Sequence, residues 1–229
     1  RQSRYDSGRE WRAAVGNQKT TGRLISAFES ASRLWDEASR QTTPGEVACR
    51  AGCFGCCIGL FEISLAEAAL VRSGVAALPD EVRADVLARA RRIVTESARA
   101  FPGDAERGLL DPERTEAADD AYFEVVADRA CPMLELPSGR CRIYSARPIT
   151  CRTYGFAWAK DGAVIHPPCG LNLPGASAGR QLQASIDIGR IDEGLDVAGE
   201  IAEELDVDPD VESTIAHAVV GSAFGPRLG

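Results

Sequence analysis

Hydrophobic positions in the first half of the chain recur at helical spacing. Residues 19–40 carry one apolar stripe, made of Leu24, Ile25, Phe28, Ala31, Leu34 and Trp35. A repeat of three to four residues is typical of an amphipathic helix. The tetrapeptide Ser64-Leu65-Ala66-Glu67 is a capping box, which predicts a second helix that runs to about Ala77.

A third helix is predicted to begin at Pro79-Asp80 and to end near Phe101. Its inward positions are Val82, Val86, Leu87, Ala90 and Ile93. Residues 103–117 are acidic and rich in turn formers, which predicts a flexible connection. A short helix over residues 119–128 is expected to follow it.

Helical periodicity is lost from Cys131 to Pro174, which predicts an irregular region. Only residues 155–165 suggest strands there, with Lys160-Asp161-Gly162 as a hairpin turn. Two helices are expected to close the chain, over residues 178–205 and 210–222.

We therefore predict a single domain over residues 1–229 that is mainly α, with helices around an irregular Cys-rich metal-binding centre and at most a small β-hairpin. The centre is expected to span residues 45–175, with flanking helices over residues 19–40 and 178–222.

The charge balance restricts the possible partners. The 229 residues carry 26 Lys and Arg against 34 Asp and Glu, so the net charge is -8. Nucleic acids and anionic membranes attract clustered basic residues, so we expect neither as a partner. No apolar run approaches the ~20 residues of a spanning helix. We expect a cytoplasmic protein, and an unknown protein partner is possible.

The cysteines are the unusual part of the composition. The first four form the pattern C-x3-C-x2-C-C, and the other four are spread over a later segment. The eight residues are Cys49, Cys53, Cys56, Cys57, Cys131, Cys141, Cys151 and Cys169.

Three interpretations of these thiols compete. Inert core thiols do not explain four cysteines in one glycine-containing loop. Disulfide frameworks are typical of small secreted chains, whereas this chain is long enough to bury a core. Thiolate ligands of a metal explain both the number and the spacing, and we favour them.

Basic residues beside the thiols support metal binding. The segment from Cys131 to Arg152 contains four arginines and one acidic residue, Glu135, so its local charge is +3. They are Arg140, Arg142, Arg147 and Arg152. A nearby guanidinium lowers a thiol pKa and offsets the negative charge of a thiolate site.

The identity of the metal remains open between two occupants. Cys53 and Cys56 have the C-x2-C spacing of a zinc knuckle. Adjacent residues seldom bind one ion, so Cys57 is expected to serve a second metal atom or a site completed by later cysteines. Dense cysteine runs also hold iron-sulfur clusters, which we favour over zinc alone. One cluster and one zinc together would use all eight thiols.

The order of motifs resembles a known family. C-x3-C-x2-C-C is followed by C-P-x-L, from Cys131, and by G-x-C-x-I-Y-x-x-R-P-x-x-C-R, from Gly139 to Arg152. This order is similar to the YkgJ-like cysteine-cluster family of zinc- or iron-chelating domains, over residues 45–175. The resemblance implies metal binding. The family pattern has two residues in its first gap, whereas this chain has Arg50, Ala51 and Gly52.

Three functions are consistent with these patterns: a redox or metal-handling protein, a cluster-dependent enzyme similar to flagellin lysine N-methylase relatives, and a structural zinc module. The sequence shows no strand followed by a Gly-rich turn, which is the pattern expected of a site that binds S-adenosylmethionine. No catalytic residue is assigned. His166, close to Cys169, is a weaker ligand candidate, and His217 is expected to be a packed helix residue. We expect the two groups of cysteines to meet around one compact centre.

Overall fold

The computed structural model describes residues 18–191, 202–203 and 206–224. The fold is mainly α: 46% of it is helical, and its sheets have only two or three strands. The helices described are α1 Gln18–Arg40, α2 Leu65–Ala76, α3 Asp80–Ser97, α4 Glu116–Val126, α5 Ile149–Thr153, α6 Ala178–Gln183 and α7 His217–Val220.

The strands are shorter than the helices. They are β1 Glu62–Ser64, β2 Gly103–Asp104, β3 Leu109–Leu110, β4 Leu134–Glu135, β5 Arg140–Cys141, β6 Trp158–Lys160, β7 Ala163–His166, β8 Ile186–Asp187 and β9 Glu212–Thr214. They form the antiparallel pairs β1-β9, β2-β3 and β4-β5 and the three-stranded sheet β7-β6-β8. The prediction of at most one small hairpin was therefore wrong.

The first helix confirms the amphipathic pattern. Phe28, Ala31 and Leu34 are buried, as are Ala27 and Ala38. The side chains of Leu24 and Ile25 lie outside the described residues. The buried stripe packs α1 against α5 and β8, which places the first helix beside the later cysteine segments.

The capping box at the start of α2 is also confirmed. The Ser64 hydroxyl accepts a hydrogen bond from the Glu67 amide, and the Glu67 carboxylate accepts one from the Ser64 amide. Helix α3 begins at Asp80 as expected but ends at Ser97. Pro102 disfavours helical geometry at Phe101, whose buried ring continues the core beyond the helix.

The connection over residues 103–117 is ordered where its two leucines enter the core. Strands β2 and β3 pair with Gly103 opposite Leu110. Leu109 and Leu110 are buried, so the apolar pair outweighs the turn-forming residues around it. The predicted hairpin at residues 155–165 is confirmed, and Asp161 and Gly162 both have the positive φ of a tight hairpin turn.

The end of the chain differs from the two long helices predicted. Helix α6 ends at Gln183, and residues 192–201 and 204–205 of the first predicted helix lie outside the described residues. Within 210–222 the chain forms β9 and the short α7. Ser213 pairs with Ile63 of β1, and burial of this strand overrides the helical pattern.

Two hydrophobic cores organise the described part of the chain. The larger one joins α2, α3, α4 and α7, and the smaller one joins α1 to the three-stranded sheet. The cysteine segments run along these cores. None of the described helices has the length and hydrophobicity that a membrane-spanning segment requires.

Candidate metal centre

The first cysteine loop is shaped by glycine and a short 3-10 helix. Gly52 has a φ of +87°, which favours glycine and accommodates the additional residue before Cys53. The 3-10 helix Gly55–Cys57 follows, with the Cys57 amide donating to the Phe54 carbonyl at 2.8 Å. This compact turn carries the two adjacent cysteines.

The β4-β5 hairpin packs directly against that loop. A Cβ atom on Gly139 would lie 2.6 Å from the Gly52 carbonyl oxygen. Only glycine therefore allows the two backbones to approach so closely. The contact brings the hairpin that carries Cys141 beside the loop that carries Cys53.

Backbone hydrogen bonds join Cys57 to the start of the later cysteine segment. The Cys131 amide donates to the Cys57 carbonyl at 2.7 Å, and Ile58 forms an isolated bridge with Ala130. Two cysteines far apart in sequence therefore share one backbone interaction.

Four thiols, which we call the inner set, lie against the larger core. They are Cys57, Cys131, Cys141 and Cys151. Burial, together with the neighbouring Cys141, raises the pKa of Cys131 to about 12. Burial, then Cys131 and Cys141, raise the pKa of Cys151 well above its ordinary value. Within the inner set, Cys131, Cys141 and Cys151 are therefore protonated, mutually interacting thiols, from which a metal would displace protons.

The remaining thiols, Cys49, Cys53, Cys56 and Cys169, form what we call the outer set. Burial raises the pKa of Cys49, opposed by a hydrogen bond from Asn172. Cys53, Cys169 and Cys56 each add a smaller increase through their charge. The outer set thus combines three cysteines of the first loop with the last cysteine of the chain.

Cys56 connects the two sets. A hydrogen bond with Cys57 is the main cause of its raised pKa. Its charge in turn raises the pKa of Cys141 and Cys151 in the inner set. The adjacent residues Cys56 and Cys57 therefore lie where the two sets adjoin.

The arginines near the thiols have distinct partners. Arg142 forms an ion pair with Asp85 on α3, so its charge is already partly balanced. Arg147 lies 3.9 Å above the Tyr144 ring, and its charge lowers the pKa of Cys56, Cys141 and Cys151. Arg147 is therefore the better candidate for offsetting thiolate charge.

Arg152 is tied to the backbone around the inner set. Its guanidinium donates to the Arg147 carbonyl at 3.0 Å and to the Ser145 carbonyl at 2.7 Å. It also donates to the Ser32 hydroxyl on α1 at 3.2 Å. Its charge lowers the pKa of Cys141, so it combines an electrostatic role with a structural one.

Sequence reasoning missed three polar residues that support the thiols. Arg89 donates to the carbonyls of Leu134 and Cys131, at 2.6 and 3.2 Å. Beyond its cap role, Glu67 accepts a hydrogen bond from the Ile149 amide at 2.7 Å, which fixes the start of the helix that carries Cys151. Asn172 donates to the Cys49 sulfur at 3.2 Å. An isolated asparagine or arginine carries no sequence signal for such a contact.

The donor set fits a thiophilic metal. All eight cysteines are free thiols. Their chemistry suits such a metal, but their arrangement does not yet form a site: within residues 18–191, 202–203 and 206–224, no three His, Cys, Asp or Glu side chains could hold a metal ion in their present positions. Soft thiolates are the ligands that zinc and iron-sulfur clusters use, and four of them complete a tetrahedral zinc site.

The two histidines are placed differently from the thiols. His166 packs near the Trp158 ring, with centroids 4.9 Å apart. His217 is buried in the larger core, stacked on Phe101 at 3.9 Å, which confirms the prediction of a packed histidine.

Comparison with known proteins yields one family. The family model CxxCxxCC, described as "Putative zinc- or iron-chelating domain", matches residues 48–170. No curated protein matches the chain. No solved structure matches it either. The matched range begins just before Cys49 and ends just after Cys169, so it contains all eight cysteines.

Proposed function

Because the chain belongs to the CxxCxxCC family of zinc- or iron-chelating domains, we propose that it binds metal through both cysteine sets. The inner set would hold one centre and the outer set another. The observation that supports this proposal is that the free thiols interact in two neighbouring groups that share Cys56. Cys49 interacts with Cys53 and Cys169 in one group, and Cys151 interacts with Cys131 and Cys141 in the other. Both sets would close around their metals on ligation.

The two sets differ in their surroundings. Cys131 is buried in the inner set, whereas Cys56 of the outer set is exposed. An iron-sulfur cluster is the proposed occupant of the inner set, because exclusion of water protects a cluster and adjusts its reduction potential. Zinc is the alternative there and the proposed occupant of the outer set. An iron-sulfur cluster supplies one-electron transfer, so we propose a redox or metal-handling role.

Saturated sites argue against substrate chemistry at the metals. Catalytic metals keep an open coordination position, whereas four thiolates complete a tetrahedral site. A groove of about 240 Å³ lies between α3 and α7, and none of its lining residues is a cysteine. We therefore propose a binding or electron-transfer protein.

Elemental analysis of protein purified without oxygen tests this function. We expect close to two metal-containing centres per chain, with acid-labile sulfide equal to iron if the inner set holds a cluster. Cys151→Ser should remove the inner centre, and Cys169→Ser the outer one. His166→Asn is the matched control, since it changes a nearby candidate ligand that belongs to neither set. Wild-type protein without metal, or full metal content in both cysteine variants, would contradict the proposal.

A further inference from the structure

We propose that Asn172 is a positioning residue for the outer metal, acting through the sulfur of Cys49. This inference rests on the proposed function, since it concerns how the outer set is held in place for ligation. Asn172 belongs to no cysteine motif and lies three residues after Cys169.

Every hydrogen-bonding atom of the Asn172 amide has a partner around Cys49. The side chain is 2% exposed. Its nitrogen donates to the Gly155 carbonyl at 2.8 Å and to the Cys49 sulfur at 3.2 Å. Its oxygen accepts from the Ala48 amide at 2.8 Å. The amide therefore fixes both the backbone before Cys49 and the direction of its sulfur.

The same residue is joined to the other end of the outer set. The backbone N–H of Asn172 donates to the Cys169 carbonyl at 2.8 Å, and the backbone N–H of Cys169 donates to the Gly155 carbonyl at 3.2 Å. Gly155 is therefore shared by Asn172 and Cys169. These bonds hold the first and the last cysteine of the chain against one turn.

That turn leaves no room for a side chain. A Cβ atom on Gly155 would lie 3.1 Å from both the Cys49 sulfur and the Asn172 amide nitrogen. The φ of Gly155 is +116°, which also favours glycine. The Cys49 sulfur is thus enclosed between the glycine and the asparagine.

A neutral amide suits this position chemically. An N–H donor stabilises a thiolate more than a neutral thiol, because hydrogen bonds to charged acceptors are stronger. Asn172 directs its nitrogen, which is a donor, toward the sulfur, so it orients the ligand without competing for the metal. Partners that orient metal ligands in this way typically change metal affinity by 10–100-fold.

Asn172→Asp tests the role with little change in shape. The variant keeps an acceptor for the Ala48 amide but loses the donor to the Cys49 sulfur. Asn172→Ala is the second variant, since it places no charge in the buried site. Gln183→Glu is the matched control, because it makes the same amide-to-carboxylate change at an exposed position.

The measurement is zinc binding to the full chain in competition with a chelator, with circular dichroism of each variant. Both Asn172 variants should bind one zinc equivalent about 10–100-fold more weakly and leave the other unchanged. The Gln183 control should match wild type. Unchanged zinc affinity in both variants, or an equal loss at both sites, would overturn the assignment.

A double-mutant cycle separates positioning from general support of the fold. Cys49→Ala removes the sulfur, so Asn172→Asp added to it should change the affinity of the weakened site less than twofold. A further tenfold loss would show that Asn172 acts elsewhere and would overturn the inference. If wild-type protein binds no zinc or iron, the proposed function fails and this inference with it. If wild type binds two equivalents and the variants do the same, only the role of Asn172 fails.

Discussion

Acidification should destabilise the protein through one buried histidine, His217. Its ring is fully buried, and its Nδ1 atom lies 2.9 Å from the Thr214 hydroxyl. Nε2 is also buried and has no hydrogen-bond partner among the described residues. Protonation would place a positive charge beside Phe101 and Tyr122 in the core, where burial disfavours the charged form.

Burial lowers the pKa of His217 from an ordinary 6.5 to about 4. The unfolded chain therefore takes up this proton at a higher pH than the folded chain does. Above about pH 6.5 His217 is neutral in both states and the free energy of unfolding has its full value with respect to this group. The free energy of unfolding decreases as the pH falls toward 4. One pKa unit corresponds to 1.36 kcal/mol, so the largest loss is about 3 kcal/mol, of which about 2 kcal/mol is reached near pH 5.

The assay is urea unfolding followed by circular dichroism, near pH 7 and near pH 5. His217→Asn removes the titrating ring and keeps a polar group that can reach Thr214. This variant should be less stable than wild type at pH 7, because it loses the stacking on Phe101. Its free energy of unfolding should nevertheless fall by about 2 kcal/mol less than that of wild type between the two pH values.

His166→Asn is the matched control, because the chain contains only two histidines. This variant keeps His217, so the loss of stability that His217 causes should remain in it. Carboxylates and metal ligands also titrate in this range, but their contribution is common to all three proteins and cancels in the comparison. Equal pH dependence in wild type and His217→Asn would refute the reasoning.

Two further predictions concern the metal sites. Gly155→Ala should lower the stability by about 1–3 kcal/mol because of the positive φ, and it should weaken zinc binding by the outer set specifically, because its Cβ would contact the Cys49 sulfur. Thermal unfolding measures the first effect and zinc competition the second. Unchanged zinc affinity would argue against an enclosed sulfur. Arg147→Ala should lower the metal affinity of the inner set about tenfold in competition with a chelator. Arg142→Ala should leave that affinity unchanged, since Arg142 already pairs with Asp85. Equal effects of the two substitutions would contradict the assignment of Arg147 as the residue that offsets thiolate charge.

Elements whose signal is local could be predicted from the sequence. The capping box at Ser64 and the turn at Asp161-Gly162 each depend on residues within four positions of one another. Their geometry follows from hydrogen bonding and φ preferences that no distant contact has to supply. The stripe of α1 is similarly local, since its period alone identifies the buried face.

Elements that depend on distant partners could not be predicted. Strand β9 pairs with β1, and nothing near Ser213 indicates that Ile63 will lie opposite it. The sequence predicts Glu67 as a helix-cap residue, yet one of its carboxylate oxygens also accepts a hydrogen bond from the Ile149 amide, 82 residues away. The same reason explains why the sequence could nominate the cysteines as candidate ligands but could not indicate which of them interact. Grouping depends on which segments the two cores bring together.

The contacts around the thiols bear on what metal binding contributes to this fold. Cys49 is held by Asn172, the Cys131 amide by the Cys57 carbonyl, and the helix of Cys151 by Glu67. Each of these bonds forms between protein atoms, so part of the order in the cysteine segments comes from the protein itself. The larger core joins four helices through apolar side chains and needs no ligation for its burial. Apolar burial and these bonds therefore carry part of the cost of ordering the cysteine segments. Because no three candidate side chains among the described residues could hold a metal ion as they lie, ligation has to supply the remaining approach of the thiols.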